Sequence, residues 1–207
     1  MGIQLAYQHD VFLSYRRTND WPRFVGKHFL PKFKHWLDAA LGHNSSIFFD
    51  IRDIETGESW PHRLANGVAH SKTMVCLWSR EYFSSQWCSA ELAQMLARRR
   101  SVAGTSGPPP LILAVVIHDS EDLHPSLADI QRFNLKDCSN PWIAKGSLMA
   151  ERLSTEIEKL ARDVADALAQ VPEYDPEWDS LATEEFLRLF GTRIAQDLPP
   201  SLGSAAK

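Results

Sequence analysis

The stretch Asp10-Val11-Phe12-Leu13-Ser14-Tyr15-Arg16-Arg17 decides how the chain is read. Its apolar run is strand-length, and it stops at two arginines. Outward from it, short apolar runs alternate with longer helical patterns. Ile47-Phe48-Phe49, Thr73 to Trp78, Leu111 to Ile117 and Arg132 to Leu135 read as four further strands. Between the first two, Val25, Phe29, Phe33, Trp36, Leu37 and Leu41 recur at helical spacing. Asp20 is the expected cap of that helix and Pro22 lies in its first turn. Pro31 predicts a kink or break inside it. Trp60 to His70 reads as a short helix, and Ser79 is expected to cap a long one running to about Arg100. Leu148 to Val171 is amphipathic, with Leu153, Ile157, Leu160, Val164 and Leu168 on one face.

Five strands alternating with helices predict an α/β protein: a parallel sheet covered on both faces. Right-handed crossovers then favour a flavodoxin-like, doubly wound sheet of order 2-1-3-4-5. Folds of this kind bind ligands beyond the carboxyl ends of their strands.

The 207 residues carry 22 Lys and Arg against 26 Asp and Glu, a net charge of −4. Such a balance argues against nucleic-acid binding, which depends on phosphate neutralisation. Three scattered cysteines, Cys76, Cys88 and Cys138, support neither a disulfide framework nor a zinc ribbon. The run Leu111 to Ile117 is too short to span a bilayer. Met1 to Ala6 carries no myristoylation or secretory signal. A cytoplasmic protein with no membrane contact is therefore expected. No HExxH, GxxxxGK[ST], GxGxxG or GxSxG occurs, so no metal or nucleotide cofactor is assigned.

Two motifs remain. Arg16 and Arg17, beyond the end of the first strand, are either phosphate contacts or solvated surface charge. Trp87 and Glu91 stand four apart and so share a helical face. They fit either an aromatic plate beside a carboxylate, suited to a ring attached to ribose, or an ordinary core tryptophan next to a solvated acid.

These residues resemble a family. Asp10 to Arg17 resembles the opening strand of Toll/interleukin-1 receptor (TIR) domains. Ile47-Phe48-Phe49-Asp50 and the acidic loop with Gly57 resemble their second strand and BB loop. The run from Ser79 to Leu92, containing Trp87-Cys88-Ser89-Ala90-Glu91, is similar to the family's third block. The resemblance covers about Asp10 to Val171. It implies an enzyme that cleaves NAD⁺ between nicotinamide and ribose, releasing linear, cyclic or conjugated ADP-ribose, in some bacterial members during antiphage defence. NAD⁺ would be substrate and not cofactor. Glu91 would be catalytic, ionised in a partly wet cleft. Trp87, Arg16, Arg17, Ser14, Tyr15 and Trp60 would contact the substrate. The alternative the resemblance admits is a non-catalytic module that signals by TIR–TIR self-association, with a sensor or effector in another protein. Residues 1–171 are expected to form the domain. Residues 172–207 are expected to form an extension with one helix, from about Ser180 to Gln196, and a frayed end.

Overall fold

The computed structural model describes residues 6–49, 60–104, 107–119, 127–177, 180, 183, 184 and 186. Among them β1 (His9–Tyr15), β2 (Ile47–Phe48), β3 (Ser71–Trp78), β4 (Ile112–Val116) and β5 (Arg132–Asn134) form one parallel sheet in the order β2-β1-β3-β4-β5. This is the predicted flavodoxin-like order. Register sets Val11 beside Ile47, Ser14 beside Cys76 and Cys76 beside Ala114.

Because a strand alternates its side chains between faces, β1 feeds two cores at once. Val11, Leu13 and Tyr15 join one apolar cluster, packed under α2 (Leu30–Leu41) and α6 (Leu148–Leu168). Phe12 joins the other, under α3 (Trp60–Ala69) and α5 (Gln86–Ser101). Ser14 also points to this second face, where its partners lie.

Local chemistry sets the helix boundaries. A short α1 (Trp21–Phe24) runs into a π-helical turn, Val25–Phe29, closed by Leu30 N–H on the Val25 carbonyl. Pro31 follows in the first turn of α2. Proline lacks an N–H and crowds the carbonyl four residues earlier, so the widened turn before it absorbs the misfit. Asp20 precedes α1 but makes no side-chain capping bond, unlike the expectation from sequence.

The helix expected from Ser79 to Arg100 is two helices. Ser79 caps α4 (Arg80–Phe83), accepting from Tyr82 N–H, and Ser85 caps α5, accepting from Cys88 N–H. Ser79 is the cap expected from sequence, and Ser85 claims a backbone donor that a continuous helix would use itself. At the far end of α5, Arg98 is 1% exposed and donates to the Ser71 carbonyl at 2.6 Å and the Tyr7 hydroxyl at 2.8 Å.

The chain past Val171 lies against this same layer. Tyr7 donates to the Pro172 carbonyl, and the Tyr174 ring stacks on His70 with centroids 5.5 Å apart. Gln94 donates to Thr183 Oγ1, and Phe186 is wholly buried in the second cluster. The described residues from 176 to 186 have helical backbone. Gly67 marks a close approach of α3 to the sheet. A Cβ there would sit 2.7 Å from the Phe48 ring, which is itself stacked on Phe12.

Two stability measurements check this packing. Phe186→Ala should cost about 3–5 kcal/mol in urea denaturation, the usual range for a buried phenylalanine. A loss below 1 kcal/mol would place the extension outside the folded unit. Gly67→Ala should destabilise despite a helix-propensity gain of about 1 kcal/mol, because overpacking costs about 1–3 kcal/mol. A Gly67→Ala variant more stable than wild type would contradict the close contact.

Candidate active site

Among the described residues, two carboxylates are buried: Asp10 and Glu91. They sit at opposite ends of the sheet and are treated differently. Asp10, at the amino end, accepts from Lys72 Nζ at 2.8 Å and from Ser46 N–H at 2.9 Å. Burial opposes its ionisation, but these donors hold its carboxyl below the ordinary value. It is a satisfied structural ion.

Glu91 lies in the second turn of α5, facing the carboxyl end of β1. Its Oε2 accepts from Ser14 Oγ at 2.6 Å, and its side chain is not part of an ion pair among the described residues. No described residue donates to Oε1. Burial pushes its pKa from 4.5 to about 7, against the lowering effects of the Ser14 hydroxyl and the Arg17 cation. The sequence reading placed this carboxylate in a partly wet cleft, fully ionised. It is instead 6% exposed, held between α5 and the carboxyl end of β1 by its bond with Ser14.

The other predicted residues divide between the two faces. Ser14 is 1% exposed and engages Glu91, so it is placed to hold the carboxylate and not to meet a ligand at the surface. Tyr15 points to the opposite face by strand alternation and stacks on Phe49, centroids 5.8 Å apart. Its expected substrate contact is therefore corrected to a core position. Arg16 is half-buried and donates from Nη1 to Ser85 Oγ at 3.0 Å, clasping the α5 cap. Arg17 is half-buried, with its guanidinium 6.0 Å from the Tyr15 ring centroid and its charge felt by Glu91. Trp87 is half-buried and packs on the second cluster, one turn before Glu91. Trp60 opens α3, but its side chain lies outside the described residues, as does the whole acidic loop 50–59.

Structure adds residues that the sequence reading missed. Tyr82, wholly buried, bonds Ser14 Oγ at 2.8 Å, across 68 positions of sequence. Burial lifts its pKa well above 10, so the phenol keeps its proton. Burial also pushes Cys76 up to about 12 and raises Cys88. Neither thiol is a nucleophile at neutral pH. Ser85, which caps α5 and takes the Arg16 bond, was missed inside the expected long helix, and the Tyr82 contact had no local signal.

The described residues hold no group of three or more His, Cys, Asp or Glu able to bind a metal, and no helix long and apolar enough to cross a membrane. A groove of about 380 Å³, lined by residues including His9, Phe48, Arg63 and His70, opens at the amino ends of the strands. It is remote from Glu91. At the strands' carboxyl ends, the buried Glu91 carboxylate is a group of the kind that can stabilise a developing cation.

Comparison with known proteins agrees with this layout. A family model described as the TIR domain matches residues 11–145, more than half of the chain. A protein of Brucella abortus (strain 2308), named probable 2′ cyclic ADP-D-ribose synthase TcpB, is 30% identical over 144 residues, covering 69% of this chain and 53% of that protein. The disease resistance-like protein DSC2 of Arabidopsis thaliana is 24% identical over 191 residues, covering 84% of this chain and 14% of its own length. This chain thus spans about half the length of the Brucella relative. Among solved structures, the TIR domain of the Toll-related receptor TRR-2 from Hydra magnipapillata superposes with a TM-score of 0.50 at 16% identity, over 76% of this chain and 98% of that one. That last likeness concerns the fold alone. The sheet order, the strand-end arginines and the Trp87–Glu91 block have one common explanation: the chain belongs to the TIR domain family.

Proposed function

We propose that this domain is an NAD⁺ nucleosidase that breaks the bond between nicotinamide and ribose. The observation that carries the proposal is the buried Glu91 carboxylate, with one oxygen held by Ser14 and the other left for a ligand. The name of the Brucella relative supports the substrate class. A cyclic ADP-ribose is what NAD⁺ becomes when nicotinamide leaves and an internal group closes the ring.

The chemistry needs little from the protein. The pyridinium nitrogen of NAD⁺ is already cationic, so nicotinamide departs neutral, taking the electron pair of the glycosidic bond. No general acid is required, unlike ordinary glycoside hydrolysis with its two carboxyl groups. What remains is an oxocarbenium-like ribosyl cation. Glu91 accepts hydrogen bonds from the ribose hydroxyls and opposes that positive charge more strongly in the transition state than in the ground state. Attack by water then gives ADP-ribose and a proton. Attack by a hydroxyl of the same molecule gives a cyclic product and a proton. Trp87 offers an aromatic surface next to the reacting sugar, and Arg16 and Arg17 offer guanidinium groups for the diphosphate.

Two outcomes are expected. Incubated with NAD⁺ and followed by mass spectrometry, the wild-type protein should release nicotinamide, and Glu91→Gln should lose at least about 10²-fold in rate. The same variant should be more stable than wild type. Between pH 4.5 and about 7 the unfolded state releases the Glu91 proton while the folded state keeps it. The resulting cost to wild type grows across that window and is constant above it, on the order of 3 kcal/mol at about 1.4 per pH unit. Thermal melts of the two proteins should diverge from pH 4.5 to 7. Turnover retained in Glu91→Gln would refute the assignment.

The rate should also depend on pH. The ionised form is the active one, so nicotinamide release should rise with pH and level off above an apparent pKa near 7. A rate flat from pH 5.5 to 8.5 would count against a buried Glu91 acting as an anion.

A further inference from the structure

We infer that Tyr82 is a positioning residue for the Glu91 carboxylate and acts on it through Ser14. The inference rests on reading Glu91 as the catalytic group, but its geometry stands separately. Ser14 Oγ lies 2.6 Å from Glu91 Oε2 and 2.8 Å from the Tyr82 hydroxyl. A serine hydroxyl has one proton. When that proton is donated to the carboxylate, Ser14 can only accept from Tyr82. The direction of the chain is thereby fixed: Tyr82 O–H to Ser14, and Ser14 O–H to Glu91.

This direction has a consequence for the acid. A donor that is itself accepting a hydrogen bond is polarised and donates more strongly. Tyr82 therefore strengthens the one bond that holds Oε2, although it does not touch Glu91. Three elements meet in the chain. Ser14 is next to last in β1, Tyr82 lies on α4, and Glu91 lies on α5. Tyr82 reaches Ser14 from α4, which Ser79 caps at its start and which ends before the Ser85 cap of α5. Tyr82 has another acceptor within reach, the Cys88 carbonyl at 3.5 Å, which is longer and weaker.

The charged and titratable groups around Glu91 are few. Arg17 and Tyr15 come from the end of β1, Tyr82 from α4, Cys76 from β3 and Cys88 from α5. Burial keeps both thiols and both phenols neutral near pH 7, and Arg17 keeps its charge. The Glu91 titration therefore reports on the hydrogen-bond chain without competing ionisations.

The test is a titration of the Glu91 carboxyl carbon by NMR in protein labelled with carboxyl-¹³C glutamate, its signal identified by its loss in Glu91→Gln. Tyr82→Phe should move the midpoint upward by about half to one pH unit, the size of one neutral hydrogen bond. Ser14→Ala should move it further. The double variant should match Ser14→Ala alone, because Tyr82 has no route to Glu91 without the serine. Site-specific 3-fluorotyrosine at position 82 makes the phenol a stronger donor with little change in size, and it should move the midpoint downward. It also keeps the test open should Tyr82→Phe not fold. Turnover provides a second readout: Tyr82→Phe should lower kcat about two- to sixfold at pH 7, shift the pH–rate profile upward and change KM less than twofold.

A Glu91 midpoint unmoved by both Tyr82 changes would overturn the inference. So would a double variant in which the two shifts simply add. Absence of NAD⁺ cleavage in wild type would instead defeat the proposed function, and the NMR titration would still decide whether Tyr82 positions Glu91.

Discussion

One hydrogen bond, from the Ser14 hydroxyl to a glutamate on a helix 77 positions later in sequence, ties the sheet to the candidate chemistry. It spans the seam where β1 ends and α5 begins its second turn. A carboxylate removed from water is expensive unless donors replace its hydration. Here the replacement is partial: one oxygen is satisfied, and the other is not bonded by any described residue. The protein holds a carboxyl group near the balance point between its two protonation states, at a place where a bound ligand's hydroxyls would complete the missing solvation.

The contrast with Asp10 shows how the same residue type is put to two uses within one domain. Asp10 sits at the amino end of the sheet, with a lysine and a backbone amide on its oxygens, and joins β1 to β3 and to the residue before β2. Its charge is neutralised locally and its pKa is low. Glu91 has a serine and a more distant arginine, and its pKa is high. Glu91 is the more deeply desolvated of the two and has fewer donors, so depth of burial and the number and charge of the donors together decide the difference. Perturbation of this second kind is what functional carboxylates display, and it points to the carboxyl end of the sheet and away from the groove at the amino end.

The layer that carries Glu91 is also the layer that the chain beyond Val171 packs against. Phe186 fills the second core, Thr183 accepts from Gln94 on α5, and Tyr174 stacks on the last residue before β3. The site therefore rests on a helix buttressed from both ends. Ser85 and Arg16 fix its start, and Arg98 and the extension fix its finish. The Brucella relative matches this chain over about half of its own length, so the matched unit is the domain and not the whole of that protein.

Much was legible in the residues themselves. Alternation of short apolar runs with helical periods yields the parallel sheet and its order, because connection handedness leaves few alternatives. The spacing of Trp87 and Glu91 places them on one helical face, and Ser79 reads as a cap. Three features were not legible. Nothing local distinguishes Ser14, turned toward α5, from Tyr15, turned toward Phe49. That depends on which face of β1 each helix covers. The interruption between Phe83 and Gln86 is hidden in a run of good helix context and appears only when Ser85 claims the Cys88 backbone donor. Above all, the proximity of Tyr82 to Ser14 belongs to neither segment. Local sequence fixes periodicity, caps and charge, which act over a few residues. The environment that sets the ionisation of Glu91 is assembled from β1, β3, α4 and α5, and only long-range packing brings those four together and excludes the water between them.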